Sequence, residues 1–145
     1  MLLVAIESPF AAKSAKDPCL CIHLVDGQGH RHERDKCERC WRVVSELAEN
    51  QRYLRAAILD SLRRGEAPYA SHGFFPQVLD DDLPAERRLG MEAGFAWGAK
   101  ADLVAVYWDL GVSLEMEAGL ERVRARGGSV EWRKIEGWVT AAVPR

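Results

Sequence analysis

Three carboxylates lie where a short buried strand gives way to the helix that follows it. The strand ends near Asp109, a turn follows at Gly111, and the first turns of the next helix carry Glu115 and Glu117. A carboxylate that is partly removed from water at such a place can act as a nucleophile or a general base. These residues therefore raise the question of whether this end of the strand is a catalytic site.

The helical repeat distinguishes the two glutamates. Met116 recurs with Leu120 and Val123 at helical spacing, so this stripe is expected to face the sheet. Glu117 is about 100° from Met116 around the axis and borders the buried face. Glu115 is expected on the outer side, where it complements the positive end of the helix. Glu117 is thus the candidate for chemistry, with a solvated or ion-paired side chain as the alternative.

Asp109 and Ser113 each have two interpretations as well. Asp109 either takes part in chemistry or accepts hydrogen bonds from the backbone of the turn at Gly111. Ser113 either binds an anion through its hydroxyl and backbone amide or caps the helix, and both roles are compatible.

Strands that alternate with helices surround these residues. The apolar run Leu2 to Ile6 and the segment "ADLVAVYW" before Asp109 are typical of strands buried on both faces, and "SVEWRKI" is a further strand. Helical patterns cover 38–64, 84–100 and 113–126, the first as one helix or two. This alternation predicts an α/β layer architecture with a mostly parallel sheet.

Ligands of such sheets bind beyond the carboxyl ends of the strands. Glu7 and Ser8 follow the first strand, and Ser71 and His72 follow a short second one. The Ser71 and His72 side chains suit a sugar hydroxyl, a phosphate or a base, whereas a histidine bonded to loop backbone is the alternative for His72.

The motif "MEAGLERVRARG" after the "DLG" turn resembles that of nucleoside 2-deoxyribosyltransferases, in which a glutamate followed one residue later by glycine attacks the sugar. The stretch from Asn50 to Gly128, including "RGEAPYASH" and "LGMEAGFAWG", is similar to phage-type relatives of that superfamily. With "VAIESPF" as first strand, the resemblance covers about two thirds of the chain. It implies a Rossmann-like three-layer sandwich of about four to five strands, with Glu117 in the nucleophile position.

The implied reaction breaks an N-glycosidic bond through an oxocarbenium-like centre that a carboxylate stabilises or traps. A second acid must protonate the departing base. Asp109 is the first candidate and Glu92 the second, although Glu92 lies in mid-helix and its "MEAG" sequence occurs twice. The resemblance implies an aspartate at position 111, which is Gly111 here, so the identity of the acid stays open, as does the choice between hydrolysis and transfer.

The implied substrate is a nucleoside or nucleotide. The residues predicted to contact it follow strands, form the turn or belong to the neighbouring helices: Ser8, Pro9, Phe10, Ser71, His72, Glu92, Gly111 and Ser113.

Two close cysteine pairs bracket a predicted hairpin in a polar insert at about 12–41. Cys19 and Cys21 are separated by fifteen residues from Cys37 and Cys40. Four thiolates at this spacing predict a structural zinc site, with three nearby histidines as reserve ligands and free thiols as the alternative. Zinc would supply stability that a short polar segment cannot obtain from a core of its own.

Size and charge restrict the remaining possibilities. The chain has 145 residues and a net charge of −2, which predicts a single domain and gives no basis for binding a nucleic-acid polymer. The absence of a long apolar run predicts no membrane segment and a cytoplasmic location. The resemblance implies a homo-oligomer. A nucleotide-binding module without turnover, and a protein-interaction module that uses the zinc insert, are the alternatives to an enzyme.

Overall fold

The computed structural model describes residues 1–10 and 38–140. The strands are β1 (Leu3–Glu7), β2 (Ala67–Tyr69), β3 (Leu103–Tyr107) and β4 (Val130–Arg133), and the α-helices are α1 (Glu38–Arg63), α2 (Ser71–Phe74), α3 (Pro84–Gly98) and α4 (Leu114–Ala125). A short 3-10 turn, Phe75–Gln77, follows α2. No helix in the described part of the chain is long and apolar enough to cross a bilayer.

The four strands form one parallel sheet in the order β2-β1-β3-β4. β1 pairs with β2 on one side and with β3 on the other, and β4 pairs with β3 at the edge. The predicted α/β fold with a parallel, Rossmann-like sheet is confirmed. The hairpin insert falls mainly on 11–37, which lies outside the described residues.

Alternating strand residues build two separate cores. Val4 and Ile6 face α1, where they pack against Tyr53 and Leu54. Val104 and its neighbours on the opposite face pack against α4, through the side chains Met116, Leu120 and Val123. Successive strand side chains point to opposite faces, so each strand contributes to both cores. Helices therefore cover both sides of the sheet.

The chain changes direction between the two central strands. From β1 it continues into α1 on one face, and from β3 it continues into α4 on the other. In an open parallel sheet this reversal leaves a crevice beyond the carboxyl ends of the two strands. The residues that follow β1 and β3 are thereby brought to the same edge.

The long helix α1 is continuous through Asn50 and Gln51, where the apolar stripe is interrupted. The Asn50 side chain is buried and its Nδ2 donates to the Phe10 carbonyl oxygen at 3.0 Å. A satisfied amide at this position allows the helix to continue. The chain then turns at Gly65, directly after the predicted helical pattern 38–64, with φ of 78°.

A buried polar network connects β4, β3 and α1 on the α1 face of the sheet. The Arg133 guanidinium donates to both carboxylate oxygens of Glu66 at 2.7 Å, and Ser61 Oγ donates to the same carboxylate at 2.7 Å. Arg133 also lies 3.3 Å from the Tyr107 hydroxyl. The bidentate pair lowers the pKa of Glu66 and raises that of Arg133.

Candidate functional site

A cavity of about 390 Å³ opens beyond the carboxyl ends of β1 and β2 and beside the start of α4. Its size falls within the roughly 300 to 1,000 Å³ typical of small-molecule sites. Five of the residues predicted to contact a ligand line it: Ser8, Phe10, Ser71, His72 and Ser113. The structure thus brings these residues, which follow β1 and β2 or precede α4, to one cavity, and their contact with a ligand stays a prediction.

Glu7, the last residue of β1, borders the cavity and has no hydrogen-bond or ion-pair partner among the described residues. Its side chain points to the same face as Ala5, which packs toward α4, because the strand repeat is two residues. Burial raises the pKa of Glu7 to about 7. A carboxyl group with this pKa is present in both protonation states at neutral pH.

Ser8 and His72 connect β1 and α2 at the cavity wall. Ser8 Oγ and His72 Nε2 are hydrogen bonded at 2.9 Å, and the Phe10 ring meets the imidazole edge to face at 5.6 Å between centroids. Burial lowers the pKa of His72 to about 4. The imidazole is therefore neutral at pH 7. Its hydrogen-bond partner is the Ser8 side chain, whereas the alternative in the sequence analysis was a bond to loop backbone.

Glu115 lines the cavity, contrary to the expectation that it lies on the outer side of its helix. Its Oε1 is 3.5 Å from Arg87 Nη2 on α3, and the two side chains are 50% and 42% exposed. Gly119, one turn further along α4, lines the same cavity. The side of α4 that faces α3 is thus the ligand side.

Glu117 lies on another side of α4. Two residues correspond to about 200° around a helix, so Glu117 and Glu115 point in nearly opposite directions. Glu117 is exposed and borders a separate surface depression with Val112 and Trp132 near β4. Glu117 does not line the cavity beyond β1 and β2, and its predicted catalytic role has no support from this geometry.

The contacts of Asp109 connect separate parts of the fold. Its Oδ2 accepts hydrogen bonds from the Tyr53 hydroxyl at 2.6 Å and from the Ile135 amide at 3.0 Å, and its own amide donates to the Tyr53 hydroxyl at 2.9 Å. The carboxylate therefore joins α1 and the segment after β4, and it does not line the cavity. Asp109 is misplaced as the general acid, and its partners differ from the turn amides expected as the alternative.

The other predicted residues are divided between the site and its surroundings. Ser113 Oγ accepts a hydrogen bond from the Met116 amide at 3.2 Å, which confirms it as the N-cap of α4. Gly111 has φ of 91° and shapes the turn before α4 without lining the cavity. Pro9 is buried and Glu92 is exposed, and neither lines it.

The chain belongs to the family described as "Domain of unknown function (DUF7768)", whose model matches residues 37–133. Comparison with curated proteins and with solved structures finds no match. The DUF7768 region includes His72, Arg87 and Glu115 of the cavity. Glu7, at the end of β1, and Ser8, directly after it, precede that region, so the cavity combines residues from inside and outside the family region.

Four charged residues of the cavity were missed as ligand contacts: Glu7, Asp81, Arg87 and Glu115. Glu7 was recognisable, because it ends a buried strand at a position where ligands of such sheets bind. Arg87 carried no comparable signal, because its contribution depends on how α3 of the DUF7768 domain lies against α4.

The predicted zinc ligands cannot be placed. Cys19, Cys21 and Cys37 lie outside the described residues, and Cys40 lies in the first turn of α1, where the structure describes only the backbone. Among residues 1–10 and 38–140, no three His, Cys, Asp or Glu side chains are grouped to hold a metal ion. The zinc site of this DUF7768 protein stays a prediction from its cysteine spacing.

Proposed function

We propose that the cavity binds a nucleoside or nucleotide and that the protein cleaves its N-glycosidic bond or exchanges its base. The observation that carries this proposal is that two carboxylates in different surroundings, Glu7 and Glu115, line one cavity. Pairs of acids held in unlike environments can divide acid and base roles between them. The resemblance to nucleoside 2-deoxyribosyltransferases supplies the reaction class.

The cavity walls suit a planar base. Three aromatic side chains from separate parts of the chain, Phe10, Phe75 and Phe95, line it together with Met91. Such side chains bind flat rings through stacking and edge contacts, while a few polar groups fix the orientation. The hydroxyls of Ser8 and Ser71 are candidates for those polar contacts.

Glu7 is the candidate general acid. Its raised pKa of about 7 leaves it partly protonated at neutral pH. As the bond between the anomeric carbon and the base nitrogen breaks, the Glu7 proton passes to the base. In hydrolysis a water molecule then bonds to the anomeric carbon and returns a proton to Glu7. In base exchange a second base takes the place of water.

Glu115 is the candidate for stabilising the positive charge that develops on the sugar. Its ion pair with Arg87 holds the carboxylate on the ligand side of α4. This assignment replaces Glu117 and Asp109 in the proposed mechanism, because neither of them lines the cavity.

The test is base release from each nucleoside and its 5′-monophosphate, with and without a second free base, measured by chromatography. Glu7→Gln and Glu115→Gln keep side-chain size, and each is expected to lower the rate by at least about 100-fold, the lower limit usual for acid–base groups. Glu117→Gln, on the same helix but outside the cavity, is the matched control and should retain activity.

Two results would contradict the proposal. One is the absence of base release by the wild-type protein with every substrate. The other is an unchanged rate in Glu7→Gln. Tight binding with fully intact ligand recovered would instead identify a nucleotide-binding module without turnover.

A further inference from the structure

We infer that the outer edge of β4 is the contact surface between two copies of this chain. Among the described strands, β4 pairs only with β3, so its other side is open. The carbonyl oxygens of Ser129 and Arg133 accept hydrogen bonds from amides on the β3 side, at 2.9 and 3.2 Å. Because backbone groups alternate along a strand, the N–H and C=O groups of Val130 and Trp132 point outward. Open edges of this kind pair readily with a further strand.

Two exposed indoles flank this edge. Trp132 and Trp108 are 46% and 40% exposed, and their rings meet edge to face at 6.3 Å between centroids. Trp132 also lines the surface depression of about 320 Å³ that lies beside α4. Aromatic side chains that are exposed together are typical of the centres of protein interfaces. A second chain on the β4 edge would remove this apolar surface from water.

The sequence of β4 is compatible with pairing to itself. A two-fold axis through Trp132 places the two β4 strands antiparallel, with this residue opposite its copy. The two Trp132 residues then exchange hydrogen bonds through their outward N–H and C=O groups. On either side, Glu131 lies opposite Arg133 of the second copy and Val130 lies opposite Lys134, so no two like charges face each other. A symmetric dimer requires such a reciprocal arrangement.

The charges of α4 favour a second copy as the occupant of this surface. Glu117, Glu121 and Arg124 line the depression beside the β4 edge, the acids toward the start of the helix and the base toward its end. The two-fold axis makes the two α4 helices antiparallel. Glu117 of each copy is thereby brought toward Arg124 of the other, in two equivalent ion pairs. Glu121 lies between them, at the spacing that allows pairing with Arg124 of its own helix.

The other edge of the sheet limits the assembly to a dimer. The Ala67 amide donates to the Leu2 carbonyl oxygen, so the next residue of β2, Pro68, is turned outward. Proline has no N–H to offer a further strand. The dimer also leaves both ligand cavities open, because Glu117 and the cavity-lining Glu115 point in nearly opposite directions from α4. Dimerisation is therefore independent of the proposed function.

Sedimentation velocity of the full chain at several concentrations tests the interface. The wild type is expected to show a reversible equilibrium between monomer and dimer. Glu117→Arg and Arg124→Glu should each raise the dimer Kd at least about tenfold, because the axis repeats each like-charge contact twice. The double variant restores opposite charges and should recover wild-type dimerisation. Glu92→Arg, exposed on α3, is the matched control for charge reversal and should leave the Kd unchanged.

Trp132→Pro tests the strand pairing itself. It removes an outward N–H and leaves the hydrogen bonds to β3 in place, so the protein should be monomeric at every concentration tested. A monomeric wild type would overturn the inference, and so would a dimer whose Kd is unchanged in Trp132→Pro and in the charge variants.

Circular dichroism verifies the folding of each variant. If Trp132→Pro does not fold, the charge reversals decide alone, and a double variant that fails to recover the dimer contradicts the interface. Base release is measured separately. Its absence would contradict the proposed function and leave the interface in place.

Discussion

At the scale of single residues, the environment of Glu7 is the main reason to expect chemistry in this protein. Its carboxyl group ends a buried strand and borders the cavity without a protein partner among the described residues. A charged carboxylate there loses hydration and gains no hydrogen bond in return, so burial raises its pKa to about 7. Groups perturbed in this way, in a cavity, are candidates for catalysis.

The raised pKa of Glu7 predicts that the protein loses stability as the pH rises from about 4.5 to about 7. The unfolded state releases this proton near 4.5, while the folded state holds it up to about pH 7, so rising pH favours the unfolded state between these values and the loss is complete above pH 7. Glu7→Gln should therefore be more stable than wild type at pH 8 by about 1–3 kcal/mol, and the difference should shrink toward pH 5. Urea unfolding at several pH values measures it.

Glu117→Gln is the control for that experiment, because its side chain is exposed. It removes a charge at the start of α4 and should cost no more than about 1 kcal/mol at pH 5 and at pH 8. If the unfolding curves of Glu7→Gln and wild type differ by the same amount at pH 5 and pH 8, Glu7 does not titrate near neutrality.

The same proton predicts the pH dependence of base release. If Glu7 is the general acid, the rate should fall above pH 7, where its carboxyl group is deprotonated. His72 should add no limb between pH 6 and 8, because burial lowers its pKa to about 4. The profile of kcat/KM against pH tests this, and a decline above pH 7 that persists in the residual activity of Glu7→Gln would assign it to another group.

The two glutamates of α4 show where residue-level prediction ends. The helical repeat correctly separated Glu115 from Glu117 and correctly placed Met116 against the sheet. The side of α4 that lines the cavity is the side that faces α3. The position of α3 depends on tertiary packing, which the sequence of α4 does not indicate. Glu117, the acid closest to the buried stripe, was therefore predicted to face the ligand, whereas Glu115, which faces α3, lines the cavity.

At the scale of elements, strong local patterns in the sequence were enough to predict most strands and helices. The buried strands β1 and β3 and the helices α3 and α4 follow the predicted segments closely, and α1 ends at Arg63, next to the end of the predicted pattern 38–64. Helix α2 was missed, since its four residues are too few to show a helical period. The missed helix matters for the site because α2 carries His72, which lines the cavity.

The ion pair between Arg133 and Glu66 predicts strong coupling between β4 and the segment before β2. Both residues are less than 10% exposed, so Arg133→Met would leave a buried carboxylate without its cation. The expected loss is about 3–5 kcal/mol, whereas the double variant Glu66→Leu with Arg133→Met should recover most of it, because both charges are then absent. Chemical unfolding measures both.

Arg124→Met, on the exposed side of α4, is the control for charge removal alone and should cost less than about 1 kcal/mol. Additive losses in the Arg133 and Glu66 variants would show that the pair contributes no coupling energy.

At the scale of the whole molecule, the sheet order decides where the site lies. The alternation of elements predicts a parallel sheet, but the order β2-β1-β3-β4 depends on pairing between strands far apart in the chain. That order places the reversal between β1 and β3 and so brings Glu7 to the same edge as the start of α4. One sequence alone identifies the strand ends, and only the assembled sheet shows which of them share a cavity.

We expect the predicted zinc site to be separable from this α/β core. The strands and α-helices of the described part lie outside 11–37, and the buried residues described in their two cores lie between residues 4 and 123. We therefore expect about one zinc ion per chain by metal analysis, lost in a Cys19→Ser and Cys21→Ser double variant. Removal of the metal should leave the far-UV circular dichroism and the urea midpoint of the core nearly unchanged. Cooperative unfolding on chelation would show instead that the cysteine segment and the sheet fold as one unit. If all four thiols react freely and no metal is bound, the cysteines are reduced thiols and the zinc prediction is wrong.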